Sequence, residues 1–209
     1  MNVEQPTRKR RPVAWSLMAL ALIALVAWRT GAWNSASTDS GDRGKGHVAA
    51  VDGSTPGLVV YAPDKRTRVP DLEGTTLDGD SFKLSDWAGN IVVINVWGSW
   101  CGPCRAETPD LVRLARENDD RGVQFLGIDT RDNLSSARAF VAKFKVPYPS
   151  LFDEGGRALL PLRGIIPSAV IPSTVVVDRH GKVAARVIGP VTYKMLTGVL
   201  EGELAGRAR

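Results

Sequence analysis

From residue 58 onward, short apolar runs alternate with segments whose apolar residues recur at helical spacing. Ile91–Trp97 (IVVINVW) is a continuous apolar run of strand type. Val123–Ile128 (VQFLGI) is a second, ending in the turn-prone Asp129-Thr130-Arg131-Asp132-Asn133. Between them, the chain from Cys101 to about Asn118 reads as a helix with apolar Leu111, Val112, Leu114 and Ala115. Leu134–Val146 places Leu134, Ala137, Phe140, Val141 and Phe144 on one helical face. A short extended piece, Tyr148–Phe152, and a short helix, Gly155–Leu162, follow. Ser173–Val177 is a strand, Asp178–Gly181 a turn and Lys182–Ile188 the returning strand. Thr192–Ala205 closes as a helix with Leu196, Val199, Leu200 and Leu204 on its apolar side. Ahead of all these, Thr75–Leu84 alternates about Asp78-Gly79, a hairpin signal. The predicted order is a hairpin, then β-α-β-α-β, then β-β-α. Such a chain belongs to the α/β class, with a parallel core sheet and an antiparallel pair added at its end.

The first 57 residues read differently. Residues 1–12 are a basic flank containing Arg8, Lys9, Arg10 and Arg11, and residues 13–28 (VAWSLMALALIALVAW) carry no charge. A basic flank before an apolar run marks an exported chain whose basic side stays in the cytoplasm. The run is either a single uncleaved transmembrane anchor or a cleaved signal segment. Arg29 and Trp33 suit the anchor; Ala32 or Ala36 would serve a cleavage site. Residues 29–57, rich in Gly, Ser, Thr and Asp, form a flexible linker. Residues 58–209 form the folded domain. It is placed outside the cytoplasm, tethered to the cell membrane or secreted after cleavage.

Charge then excludes one class of partner. The net charge is +5, but residues 1–29 hold five basic side chains against Glu4, and the rest of the chain is nearly neutral. No basic stripe for nucleic acid remains.

The two cysteines, Cys101 and Cys104, decide the chemistry. Two thiols do not fill a structural zinc site, and the pair closes too small a loop to staple a fold. No metal is expected. A Cys-x-x-Cys between a strand and a helix is a redox pair. At a helix N-terminus Cys101 meets unpaired amides, which lower a thiol pKa and favour the attacking thiolate. Cys104, one turn on, can resolve the mixed disulfide. Gly102 is expected to let the turn close, and Pro103 suits the first helical turn. The dithiol carries the electrons, so no cofactor is expected.

Trp97-Gly98-Ser99-Trp100-Cys101-Gly102-Pro103-Cys104 resembles the active-site segment of thioredoxin-like proteins. With Asn95 and Glu107, residues 68–206 resemble the TlpA/ResA-like branch of membrane-anchored thiol-disulfide oxidoreductases. The resemblance implies a thioredoxin fold with an N-terminal β-hairpin and an extra central helix. Pro109 matches the proline that kinks the active-site helix. Ile171-Pro172 matches the cis-proline segment that docks the substrate, with Pro167 as the alternative. The segment Ile165–Val170 is longer than the usual loop there. Asn95 stands where cytoplasmic thioredoxins carry a buried aspartate, and the resemblance gives Glu107 the task of tuning the dithiol. Otherwise Glu107 is a solvated acid favourable to the helix dipole. Trp100 either shields Cys101 and meets the partner, or simply packs.

The expected function is disulfide reduction outside the cytoplasm by a monomer. By resemblance, it is re-reduced by a membrane thiol electron donor and acts on protein disulfides such as those of apocytochrome c. The alternatives are an oxidant that installs disulfides in exported proteins, a thiol peroxidase, and a non-catalytic docking module.

Overall fold

In the computed structural model, residues 57–167 and 170–206 are described. The anchor or signal segment and most of the linker lie outside them. Among the described residues no helix is long and apolar enough to cross a membrane.

Among the described residues there are eight strands and three α-helices, which from the second strand onward follow the predicted order. The strands are β1 (Leu58–Val60), β2 (Glu73–Thr75), β3 (Ser81–Lys83), β4 (Ile91–Trp97), β5 (Val123–Thr130), β6 (Ser150–Asp153), β7 (Ser173–Val177) and β8 (Val183–Ile188). The helices are α1 (Gly102–Glu117), α2 (Leu134–Phe144) and α3 (Tyr193–Ala205). The main sheet runs β1-β8-β7-β4-β5-β6, and β2-β3 form a separate hairpin. Parallel pairing joins β4, β5 and β6; β7 and β8 add antiparallel strands on the other side of β4. This is the mixed α/β sheet of the thioredoxin fold.

The apolar runs take central places because they are buried on both faces. All seven residues of β4 are buried. Val92, Ile94 and Val96 join Leu126, Ile128, Leu151 and Val175 under the hairpin and the Leu159–Ile166 segment. Ile91 and Val93 face the other way, towards Leu111 and Leu114 of α1 and Leu196 and Leu200 of α3. Trp97, Ala137 and Phe140 form a third cluster that includes both cysteines, with Trp97 and Phe140 stacked at 4.5 Å between ring centres.

Helix starts follow from capping. Asn133 Oδ1 accepts the Ser136 N–H at 2.9 Å to start α2, and Thr192 Oγ1 accepts that of Met195 at 3.3 Å to start α3. In α2 the buried residues are Ala137 and Phe140, whereas Leu134 is 36% exposed in its first turn.

Four expectations change. The hairpin closes through residues 76–80, not a two-residue turn. Its strands register Thr75 with Ser81, and Asp80 N–H reaches Thr76 Oγ1 at 3.1 Å. Gly155–Leu162 is not an α-helix: Gly156 sits at φ 69°, and only Leu160–Leu162 winds, as a 3-10 turn containing Pro161. β1 is a strand that the sequence did not announce, because three residues carry little pattern. β5 continues through Asp129 and Thr130, both fully buried.

Close approach fixes Gly127 in the middle of β5. A Cβ there would collide with Ser150 Oγ and lie 2.7 Å from Trp97 Nε1. Gly127→Ala is expected to lower stability by roughly 1–3 kcal/mol through overpacking. Urea unfolding measures this, and a midpoint equal to that of the parent chain would mean that Trp97 and Ser150 yield freely.

Candidate active site

The active-site turn leaves the C-terminal end of β4 and enters α1. Cys101 is the N-cap residue of α1, and its Sγ accepts the Cys104 N–H at 3.2 Å. That is the geometry in which an amide and the helix dipole favour a thiolate once the pair is reduced. Cys101 and Cys104 are joined in a disulfide. Cys101 is 5% exposed and Cys104 is fully buried, so an incoming partner reaches Cys101 first.

Pro103 occupies the first turn of α1. Gly102 behaves differently from its expected role. It has no left-handed φ, and a Cβ on it would meet nothing within 4 Å. Turn closure does not require glycine there. The tighter position is Gly98, where a Cβ would stand 2.8 Å from Trp100 Nε1, so the Trp100 ring lies close over it. Trp100 is 54% exposed beside the dithiol, and its Nε1 donates to the Arg131 carbonyl at 3.1 Å. Pro109 lies inside α1. It has no N–H for the carbonyl of Arg105.

Glu107 is on the same helix face as Cys104, three residues on. It is not a solvated acid: it is 2% exposed. Asn95 Nδ2 donates to its Oε1 at 2.8 Å, and Val191 N–H donates to its Oε2 at 2.7 Å. Asn95 Nδ2 also reaches Thr174 Oγ1 at 3.1 Å. Burial pushes the Glu107 carboxyl up to about 7 against the pull of those two donors. A group that titrates near neutrality stands within one helical turn of the buried thiol.

Ile171-Pro172 is the cis peptide bond; Pro167 is not cis. Since Val96 pairs with Ser173, Pro172 falls opposite the end of β4 from which the active-site turn departs. Pro172 is buried and its carbonyl accepts the Gly189 N–H at 3.0 Å. Ile171 packs against the cluster that holds Cys101 and Cys104. The sites singled out in three separate segments (Asn95, residues 100–107, and residues 171–172) therefore meet at one end of the sheet. Two groups there escaped the sequence reading. One is Val191 N–H, whose hydrogen bond to Glu107 spans 84 residues and has no local signal. The other is Asp129, read as a turn residue because aspartate marks turns. Among the described residues no group of side chains is suited to a metal.

The profile of the AhpC/TSA family matches residues 66–186. The chain is 29% identical over 132 residues to the thiol-disulfide oxidoreductase ResA of Bacillus cereus, covering 63% of this chain and 74% of that one. It is 34% identical over 120 residues to the thiol:disulfide interchange protein HelX of Rhodobacter capsulatus, covering 57% and 64%. Among solved structures, a DsbF homologue from Corynebacterium diphtheriae superposes with a TM-score of 0.67 at 32% identity, over 76% of this chain and 99% of that one. A secreted thiol-disulfide isomerase from Corynebacterium glutamicum gives 0.68 at 32% identity, over 79% and 99%. With its dithiol at the N-terminus of α1 and a cis-proline opposite, the chain belongs to the AhpC/TSA family and is a thioredoxin-fold thiol-disulfide oxidoreductase.

Proposed function

We propose that the dithiol works as a disulfide reductase outside the cytoplasm. The observation that carries the direction is the buried Glu107 carboxyl one turn beyond the buried Cys104. A carboxylate there disfavours thiolates in the reduced pair and so favours its return to the disulfide. A pair that readily returns to the disulfide gives its electrons away. Strong oxidants are the reverse case, since their reduced form is the stabilised one.

The reaction balances within the pair. Cys101 thiolate attacks one sulfur of a substrate disulfide, forming a mixed disulfide against Ile171-Pro172 and expelling one substrate thiolate. Cys104 loses its proton, for which Glu107 is the nearby acceptor, and attacks Cys101 Sγ. The second substrate thiolate leaves, the Cys101–Cys104 disulfide forms, and two electrons have passed to the substrate. Trp100, exposed at the rim, meets the partner, and Asn95 holds Glu107 in place.

The anchor reading of residues 13–28 complements this chemistry. A tethered domain is re-reduced by a thiol carrier in the membrane and reaches protein disulfides, with the haem-attachment cysteines of apocytochrome c as the favoured substrate. A peroxidase reading has less support, because both cysteines are committed to one pair and no separate peroxidatic cysteine exists in the sequence.

The reduction potential tests the direction. A chain of residues 58–209, equilibrated with glutathione or dithiothreitol buffers, is expected at or below roughly −240 mV, on the thioredoxin side of the known range. A value above about −150 mV belongs to disulfide-installing oxidants and would replace this reading with that one.

A further inference from the structure

The turn that presents Cys101 is moulded by a loop without thiols. Ser99 N–H donates to Asp132 Oδ2 at 2.6 Å, and Asn133 N–H donates to Asp132 Oδ1 at 2.8 Å. Trp100 Nε1 donates to the carbonyl of Arg131, the residue before. Arg131 itself holds φ 53°, a left-handed conformation that a non-glycine residue keeps only when its surroundings impose it. Its N–H donates to the Asp153 carbonyl at 3.2 Å.

Behind this loop lies Asp129. It is fully buried at the end of β5, in register with Trp97 of β4. Neither of its oxygens receives a hydrogen bond from an N–H or hydroxyl among the described residues. Asp132 stands three residues on, where its charge bears on the Asp129 carboxyl. Two ionised carboxylates so placed repel; one retained proton allows a charge-assisted hydrogen bond between them. The surroundings decide which partner keeps the proton. Asp132 has two amide donors and suits the ionised form. Asp129 has none.

We propose that Asp129 is a positioning residue: as a neutral acid it donates a hydrogen bond to Asp132 and thereby fixes the loop that moulds the Ser99-Trp100-Cys101 turn. The electrostatics agree. Burial, and then the charges of Asp132 and Asp153, push the Asp129 carboxyl up to about 8. Burial works against ionised Asp132, yet its Ser99 and Asn133 donors and the Asp129 proton hold it below the usual carboxylate range. The cluster beside the pair holds Trp97, Ala137, Phe140 and Phe152 together with Cys101 and Cys104, which are the titratable groups in it once the disulfide is reduced. Among the described residues no arginine or lysine side chain bonds Asp129, Asp132 or Asp153. Asp153 Oδ1 accepts the Arg157 main-chain N–H at 2.6 Å.

The test compares Asp129→Asn with Asp129→Ala in the full chain, in detergent. Asparagine keeps a neutral donor towards Asp132; alanine removes it. The readout is the rate at which the reduced protein attacks a small aromatic disulfide, followed across pH. At neutral pH Asp129→Asn is expected to match the parent chain, and Asp129→Ala to be roughly ten- to hundredfold slower, the usual cost of a misplaced reacting group. Above pH about 8, where Asp129 itself ionises, the parent rate should drop relative to that of Asp129→Asn. Should Asp129→Ala fail to fold, the carboxyl carbon resonance of Asp129 in the parent decides: a protonated position at neutral pH supports the proposal, and an ionised one overturns it. An Asp129→Asn variant as slow as Asp129→Ala, or a parent-to-Asn rate ratio that is flat with pH, also overturns it.

Discussion

Cys101→Ala is expected to reduce thiol-disulfide exchange to the buffer background, while Cys104→Ser should convert the protein into a trap that accumulates mixed disulfides. The asymmetry follows from position. Cys101 caps α1, and its Sγ accepts the Cys104 N–H, so it is the sulfur expected to attack as the thiolate. Cys104 is fully buried and cannot meet a protein partner before Cys101 does. Without Cys101 no first attack occurs. Without Cys104 the first attack proceeds, but the covalent complex has no internal thiol to release it, and a serine hydroxyl does not replace one. Non-reducing electrophoresis of a reduced Cys104→Ser protein mixed with a disulfide-bonded partner would show the adduct, and dithiothreitol would dissolve it. If the adduct instead forms through Cys104 in the Cys101→Ala chain, the assigned order of attack is wrong. Full biological activity in a Cys101→Ser chain would favour the docking-module reading.

The parts of this site that were legible in the sequence are those encoded locally. Ile91–Trp97 is too short for a buried helix and rich in β-branched residues, which marks it as a strand, and the Cys-x-x-Cys that follows it opens the next helix. The strand Ser173–Val177 directly after Pro172 pointed to the correct proline for the same reason. What the sequence hid depends on contacts made at long range. Without the family resemblance, which put Glu107 beside the dithiol, its carboxyl reads as a surface acid; its partners appear only when α1 packs on β4 and Asn95 and Val191 reach its two oxygens. Asp129 and Thr130 read as the start of a turn, because burial of a carboxyl is rare unless its charge is neutralised. Leu134 looked like part of an apolar face, yet the helix begins there and Leu134 is exposed, outside the packed cluster that Ala137 and Phe140 join. Gly102, by contrast, looked like a backbone requirement and has open space around it; the crowded glycine is Gly98, four residues earlier, against the Trp100 ring.

The same buried acids make the folded protein more stable as the solution is acidified from mildly alkaline pH. Glu107 has its carboxyl raised from the ordinary 4.5 to about 7 by burial. Between those values the folded chain holds a proton that the unfolded chain has released. Stability therefore falls as pH rises through this window, the opposite of the trend for a salt-bridged carboxylate. At about 1.4 kcal/mol per pH unit, the loss due to Glu107 alone is on the order of a few kcal/mol. Asp129, raised from 3.8 to about 8, acts in the same direction and extends the slope into the alkaline range. Urea unfolding of the oxidised protein is the clean measurement, since its cysteines are locked in the disulfide and do not titrate. Glu107→Gln should remove its share of the slope. It should also carry a constant penalty of roughly 1–3 kcal/mol, because the Gln amide nitrogen must face either the Asn95 or the Val191 donor. In the reduced protein the same substitution should shift the thiol titration, through loss of the carboxylate beside Cys104. A stability slope that survives in Glu107→Gln would assign it to Asp129; a slope removed without any change in the thiol titration would leave Glu107 as a structural acid with no part in the redox step.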